Sequence, residues 1–151
     1  MTMTTAFYRY LVNPVMRGLL KSPLQGALSK NIAILHFTGR KSGRQLSTPL
    51  SYTREDNTIR LLSSLNTRWW MNFRGEDAAV EVEIGPEKLA GVAHLLEGDT
   101  DELREGVRRF LVALPRDAAV YGIKLNKDKT PVESSLAEAA PRLILVEITL
   151  D

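Results

Sequence analysis

Apolar positions follow a strand-like pattern in six stretches of the chain, which predicts a protein built mainly on a β-sheet. The predicted strands cover residues 32–37, 46–53, 58–63, 78–84, 88–96 and 142–150. The fourth stretch shows the pattern best, because Val80, Val82 and Ile84 alternate with Glu81 and Glu83. This period of two is typical of a strand with one buried face.

A second pattern, with apolar residues three or four positions apart, predicts a helix over residues 99–114. Its apolar stripe consists of Leu103, Val107, Phe110, Leu111 and Leu114. Asp99 or Thr100 can cap its first turn. Shorter helices are predicted over residues 67–74, with Thr67 as N-cap, and over residues 117–123 and 133–140.

The order of these elements predicts one domain with four parts. They are a helical lead-in over residues 1–29, a barrel meander over 31–96, a helical excursion over 99–140 and a last strand over 142–150. A length of 151 residues suits a single compact domain. We therefore expect an α+β fold, a small closed or split six-stranded barrel with flanking helices.

The charge is unevenly distributed along the chain, although the net charge is only +2. Residues 1–74 have a balance of +9, and residues 75–151 have a balance of −7. A basic first half suggests an anionic partner: a phosphate ligand, nucleic acid or an acidic membrane. The alternative is that the two halves neutralise each other in the fold.

Composition narrows the possible chemistry and location. The chain has no cysteine, which excludes disulfides, thiolate metal sites and cysteine nucleophiles and is compatible with the cytoplasm. No stretch reaches the ~20 apolar residues of a membrane span. Residues 4–29 form a basic amphipathic segment, which either lies on a membrane surface or covers one end of the core.

The turn between the first two predicted strands carries a concentration of positive charge. Its residues are Gly39, Arg40, Lys41, Ser42, Gly43 and Arg44. The glycines can adopt positive φ, which lets successive N–H groups converge on an anion, while the cations and the hydroxyl bind phosphate. The alternative is an ordinary solvated hairpin turn. The spacing differs from that of a Walker A motif, and a strand follows the turn.

The second candidate feature is the segment SSLNTRWWMNFRG, residues 63–75. Adjacent tryptophans on a helix point in different directions, so Trp69 or Trp70 can face a cleft beside the Asn72 amide. An indole next to an amide suits a flat heteroaromatic ligand. The alternative is that both tryptophans are core residues.

Motifs for hydrolytic or metal chemistry are missing. His36 and His94 are the only histidines and do not have metal-ligand spacing, so no metal site is expected. There is no G-x-S-x-G and no carboxylate pair in the basic half. If the protein is an enzyme, a cofactor is expected to carry the chemistry.

Together, T-G-R-K-S-G, S-T-P-L, the serines ending the third strand and W-x-x-N-F-R resemble the deazaflavin (F420)-dependent nitroreductase family. These flavin/deazaflavin oxidoreductases have a split barrel like that of pyridoxamine-phosphate oxidases. The resemblance implies a cytoplasmic enzyme that transfers a hydride between coenzyme F420 and a quinone, nitroaromatic or enone. A non-catalytic flavin- or tetrapyrrole-binding protein is the alternative.

The resemblance also implies roles for individual residues. Arg40, Lys41, Ser42 and Gly43 would hold the phosphate tail. The ring region would comprise Ser47, Thr48, Pro49, Leu50, Ser63, Ser64, Trp69 and Asn72. Tyr121 is a candidate proton donor.

The sequence departs from the family at two places. Leu46 stands where many members have arginine, and a short LNTR segment replaces a longer loop. Because of both departures, FMN is retained as an alternative cofactor. We further expect a homodimer, a small-molecule acceptor and no nucleic-acid partner.

Overall fold

The computed structural model describes residues 31–151, which form six antiparallel strands and a helical segment. The strands are β1 (Ile32–Thr38), β2 (Gln45–Glu55), β3 (Thr58–Ser64), β4 (Ala78–Ile84), β5 (Glu87–Glu97) and β6 (Leu143–Leu150). They close into a barrel in the order β1-β2-β3-β6-β5-β4, with β4 returning to β1. The predicted six-stranded barrel is confirmed.

The last strand completes the barrel wall. β6 inserts between β3 and β5 and pairs with both, from Thr58↔Thr149 to Ser64↔Leu143 and from Gly91↔Leu150 to Glu97↔Ile144. Among residues 143–148, every side chain that points into the barrel is fully buried. This fits an apolar strand with neighbours on both sides. The predicted meander of β1, β2 and β3 is correct.

The wall is open between part of β2 and part of β3. The first part of β2 pairs with β1, from Thr38↔Gln45 to Ile32↔Ser51. Only its last four residues pair with β3, ending at Tyr52↔Leu61. Residues 45–51 of β2 are therefore paired with β1 on one edge only, and residues 62–64 of β3 are paired with β6 on one edge only. Within residues 31–151, no strand pairs with the other edge of either segment. We call this opening the split.

Two apolar cores result from the alternation of side chains. The barrel interior contains residues such as Leu35, Ile59, Val82, Val146 and Ile148, all at most 1% exposed. A second core lies outside the barrel, where the helical segment covers outward-facing residues of β3, β5 and β6. The apolar stripe predicted for residues 99–114 is buried there, as expected.

The helical segment consists of α1 (Asp101–Ala113), a 3-10 helix (Pro115–Tyr121), α2 (Glu133–Ala139) and a 3-10 turn (Ala140–Arg142). Thr100 caps α1 by accepting a hydrogen bond from the Leu103 N–H at 3.1 Å, as predicted.

The helix predicted over residues 67–74 is shorter than expected, a 3-10 helix at Trp69–Phe73, called here the tryptophan helix. The expected N-cap role of Thr67 is wrong. Its hydroxyl instead donates to the Ser64 carbonyl at 2.8 Å, which closes the turn after β3. Hydroxyl side chains commonly compete in this way for nearby main-chain groups.

A chain of ion pairs fastens the helical segment to the barrel. It runs through Glu133, Arg108, Glu105, Arg109, Glu55, Arg60 and Glu147, and each neighbouring pair lies within 3.0 Å. These residues join α2, α1, β2, β3 and β6. Hydrogen bonds from the arginines lower the pKa of Glu55, Glu105 and Glu133.

The predicted helical lead-in over residues 1–29 lies outside the described residues. Within residues 31–151, no helix is long and apolar enough to cross a membrane.

Candidate functional site

The cationic turn, residues 39–44, is a closed loop in which three of the six N–H groups are hydrogen-bonded within the turn. The Gly39 N–H donates to the Arg44 carbonyl at 2.7 Å, and the Gly43 N–H donates to the Gly39 carbonyl at 2.9 Å. The Arg44 N–H donates to Ser42 Oγ at 3.2 Å. These three N–H groups are therefore engaged inside the turn, and the expected cradle of successive N–H groups is wrong for them.

The two glycines of the turn serve different purposes. Gly43 has φ of 70°, the left-handed conformation that the sequence predicted. Gly39 is not among the positive-φ residues. It is needed because a Cβ there would lie 2.6 Å from Ser42 Oγ. The expectation of positive φ is thus correct for Gly43 and wrong for Gly39.

The cations of the turn are not neutralised by the described part of the chain. Arg40, Lys41 and Arg44 are exposed, and none of them has a carboxylate within ion-pair distance among residues 31–151. Elsewhere the two halves do pair, as in Arg60–Glu147 and Arg74–Glu97. Neutralisation between the halves therefore accounts for part of the charge pattern but not for the turn.

The turn is joined by two hydrogen bonds to the tryptophan helix and to Arg74, the residue that follows it. The Arg40 N–H donates to Asn72 Oδ1 at 2.9 Å, and the Arg40 guanidinium donates to the Arg74 carbonyl. Asn72 Nδ2 also donates to the Trp69 carbonyl at 2.9 Å. The structure thus brings together the two segments that the sequence singled out separately.

Arg74 extends this connection across the barrel. Its guanidinium forms two hydrogen bonds with Glu97 of β5, at 2.9 and 2.8 Å, and lies 5.0 Å from the centre of the Trp70 ring. The hydrogen bond to Glu97 raises the pKa of Arg74 and lowers that of Glu97. Arg74 lies in the W-x-x-N-F-R motif, but its pairing with Glu97 was missed, because 23 positions separate the two residues and Glu97 belongs to no motif.

Both tryptophans are buried, at 1% exposure each, within the barrel core. The expectation that one indole faces a cleft is therefore wrong, and both are core residues. They nevertheless differ in one respect. Trp70 Nε1 donates to the Thr67 carbonyl at 2.8 Å, whereas Trp69 Nε1 has no acceptor among the described residues. A buried donor without a partner costs about 1–3 kcal/mol.

This difference predicts that replacing each tryptophan by phenylalanine lowers the stability of the protein by a different amount. We expect Trp70→Phe to lower the free energy of unfolding by about 1–3 kcal/mol more than Trp69→Phe, because only Trp70 loses a hydrogen bond and a cation–π contact. Urea unfolding of the two variants without ligand measures the difference. Equal costs, or a larger cost for Trp69→Phe, would contradict it.

Side chains along β2 point alternately into and out of the barrel. Leu46 and Leu50 contact the barrel core, so Thr48 lies on the same inner face, while Ser47 and Pro49 lie on the outer face. The four residues predicted to line a ring therefore cannot all do so with their side chains. They lie on the β2 edge that borders the split.

The serines at the end of β3 lie across the same split. Ser63 is buried, with its hydroxyl 2.8 Å from the Thr67 hydroxyl, and Ser64 Oγ is hydrogen-bonded to Asn66. The predicted residues of both strands thus border one opening, next to the tryptophan helix.

Tyr121 lies on the helical side of the barrel and packs against the second core. Its hydroxyl donates to the Leu62 carbonyl at 3.0 Å, beside the split. Burial raises the pKa of Tyr121 to about 12. A phenol that holds its proton this firmly is a weak acid, so the geometry favours a structural role over proton donation.

The raised pKa of Tyr121 makes stability depend on alkaline pH. Unfolded tyrosine titrates near pH 10, so the stabilisation is fully present below about pH 10 and is lost as pH rises through about 12. We expect the free energy of unfolding of the unmodified protein to fall more steeply across this range than that of Tyr121→Phe. Urea unfolding from roughly pH 9 upward tests this, and parallel profiles would contradict it.

A cavity of about 380 Å³ lies elsewhere, between α1 and the far ends of β2 and β3. Three of its arginines, Arg60, Arg108 and Arg109, belong to the ion-pair chain described above and are already matched by glutamates. The fourth, Arg54, donates to the Asp56 carbonyl at 3.1 Å. The histidines are likewise paired, His36 with Glu83 and His94 with Asp77. No group of three or more potential metal ligands is found within residues 31–151.

The arrangement provides two kinds of unmatched donor on either side of Asn72. One is the cationic turn, which suits a phosphorylated or carboxylated tail. The other is the buried Trp69 N–H, which suits a carbonyl or ring-nitrogen acceptor. A ligand with an anionic end therefore suits the turn, whereas the Trp69 N–H is enclosed in the barrel core.

The sequence matches the F420H(2)-dependent quinone reductase family over residues 8–134. The chain belongs to this family. It is therefore an F420-dependent oxidoreductase, and its cofactor is coenzyme F420. The family match does not favour FMN as cofactor or the non-catalytic binding protein. A search of curated proteins found no significant match.

Solved structures support the fold. A chain described as a domain-swapped dimer is 22% identical, with a TM-score of 0.54 over 95% of this chain and 98% of that one. An F420-H2 dependent reductase is 19% identical, with a TM-score of 0.54 over 79% and 94%. A pyridoxamine 5'-phosphate oxidase-related, FMN binding protein from Nostoc punctiforme PCC 73102 is 16% identical, with a TM-score of 0.50 over 85% and 81%. The predicted split-barrel fold is thereby confirmed.

Proposed function

We propose that this member of the F420-dependent family reduces a quinone and binds its coenzyme along the split. The observation that carries the proposal is the contact between the unneutralised cationic turn and the tryptophan helix, through Arg40 and Asn72. It places the segment suited to an anionic tail next to the segment suited to a ring.

In this proposal the tail lies on Lys41 and Arg44, whose side chains have no ion pair within residues 31–151. Ser42 and Gly43 shape the turn beneath it. The ring lies toward the edges of residues 47–50 and 63–64, where β2 and β3 do not pair with each other.

The bound reduced coenzyme supplies a hydride, and a quinone that receives it together with one proton leaves as the quinol. The chain's contribution is to hold the two planar molecules in contact and to keep water from the reacting faces. The pKa of Tyr121 argues against it as the proton source.

A homodimer is part of the proposal. It is supported by the similar solved chain described as a domain-swapped dimer. The acceptor and the assembly are both inferred from relatives. Contact of residues 4–29 with a membrane surface stays a prediction.

The test is direct. Reduced coenzyme F420 and menadione are mixed with the purified protein, and the absorbance of oxidised coenzyme is followed. We expect saturable turnover with both partners. Coenzyme binding without turnover of any quinone would overturn quinone reduction, and the absence of binding at high micromolar coenzyme would overturn the whole proposal.

A further inference from the structure

The cationic turn contains residues with two different surroundings, although the sequence presents them as one basic motif. The side chains of Lys41 and Arg44 are exposed and make no hydrogen bond to any of the described residues. Arg40 is also exposed, but its N–H is bonded to the tryptophan helix and its guanidinium to Arg74, the residue that follows it. The turn therefore has one anchored cation and two unengaged ones.

The main-chain bond of Arg40 is made by one amide side chain, that of Asn72. Asn72 Oδ1 accepts from the Arg40 N–H, and Asn72 Nδ2 donates to the Trp69 carbonyl, both at 2.9 Å. An amide can do both at once because it carries an acceptor and a donor on one rigid plane. The carboxylate of aspartate would keep the acceptor and lose the donor.

The second bond of Arg40 reinforces the same contact. Its guanidinium reaches the Arg74 carbonyl and passes beside Gly75, where a Cβ would lie 3.7 Å from Arg40 Nη2. Arg74 is itself fixed by Glu97 and by the Trp70 ring. The anchored cation thus rests on a segment that is held from two sides.

We propose that Asn72 and Arg40 are positioning residues for the coenzyme tail, and that Lys41 and Arg44 alone supply its charge contacts. Asn72 acts through the Arg40 main chain: it fixes the turn at the distance from the tryptophan helix that a coenzyme spanning both requires. This inference rests on the proposed function for the identity of the ligand. It differs from the family resemblance, which groups Arg40 with the tail contacts and Asn72 with the ring contacts.

The anchor itself can be tested without any coenzyme. Amide hydrogen exchange reports on the Arg40 N–H, which lies in an exposed turn and has Asn72 Oδ1 as its acceptor. We expect Asn72→Ala to speed exchange at Arg40 about tenfold or more while β1 and β2 amides stay protected. Asn72→Asp keeps the acceptor and is the matched control, in which Arg40 stays protected. Unchanged exchange at Arg40 in Asn72→Ala would overturn the anchor.

A double-mutant cycle on coenzyme F420 affinity tests the mode of action. We expect Asn72→Ala to weaken binding about tenfold in the unmodified background. In the Lys41→Gln/Arg44→Gln background we expect less than about twofold, because the turn then lacks both cations proposed to contact the tail, and Arg40 is held against the Arg74 carbonyl. An undiminished tenfold loss would show that Asn72 contacts the coenzyme directly and would overturn the inference.

The ionic-strength dependence of affinity separates positioning from charge. Salt screens a charge contact but leaves a main-chain anchor unaffected. We expect the Lys41→Gln/Arg44→Gln variant to bind with a flatter salt dependence, and Asn72→Ala to keep the original slope. A flattened slope in Asn72→Ala would contradict its positioning role. If the unmodified protein binds no coenzyme, the proposed function is wrong. Hydrogen exchange at Arg40 still shows in that case whether Asn72 anchors the turn.

Discussion

Replacing Lys41 and Arg44 together by glutamine is expected to weaken coenzyme F420 binding about 100-fold at low ionic strength. Each side chain offers one charge-assisted contact, and such contacts contribute about 1.5 kcal/mol each or roughly a factor of ten. Because both side chains are exposed and have no ion pair within residues 31–151, their loss should leave folding almost unchanged. Fluorescence titration gives the affinity, and thermal unfolding checks the fold.

A matched control removes the same charge elsewhere. Lys124 and Lys127 lie in the exposed loop before α2 and have no ion pair within the described residues. Lys124→Gln/Lys127→Gln should leave affinity within about twofold, since distant surface charges are screened by salt. A similar loss in both double variants would mean that overall charge, rather than the turn, attracts the coenzyme.

Gly91→Ala is expected to lower the free energy of unfolding by about 3 kcal/mol, the upper end of the range for overpacking. Gly91 is buried in β5, and a Cβ there would lie 2.7 Å from the Thr149 carbonyl oxygen and 2.8 Å from Ile148 Cγ2. The first of these is a main-chain atom, so relief requires β5 and β6 to separate. Urea unfolding should show the loss, with a fall of about 10 °C in melting temperature.

The neighbouring outward-facing residue provides the comparison. Val92 is 42% exposed, so Val92→Ala should cost less than about 0.5 kcal/mol. If Gly91→Ala were as mild as Val92→Ala, the close approach of β5 and β6 described here would be incorrect.

The strands were predictable because their signals are local. Alternation of apolar and charged residues located Ala78–Ile84 without error, and the stripe from Leu103 to Leu114 located the main helix. The position of β6 between β3 and β5 depends on pairing with residues 79–91 positions away in β3 and 47–59 positions away in β5, which no local pattern encodes. The length of the tryptophan helix was overestimated, because helix propensity does not distinguish an α-helix from a single 3-10 turn.

The candidate site was predictable as residue types but not as an arrangement. The charges of the turn and the paired indoles are visible in the sequence. Their contact through Arg40 and Asn72 joins residues 32 positions apart and could only be assumed from the family resemblance. The burial of Trp69, the engagement of the turn's N–H groups and the role of Arg74 follow from packing, for which the sequence has no signal.

Pro49 gives the split a property beyond ligand binding. A strand edge without a partner is a template on which another chain can add a strand, the first step of many aggregation reactions. Proline has no N–H to donate, and it lies in the middle of the β2 edge that borders the split. An incoming strand would therefore find an interrupted row of donors, so the opening can remain accessible to a small molecule while resisting extension by a second polypeptide.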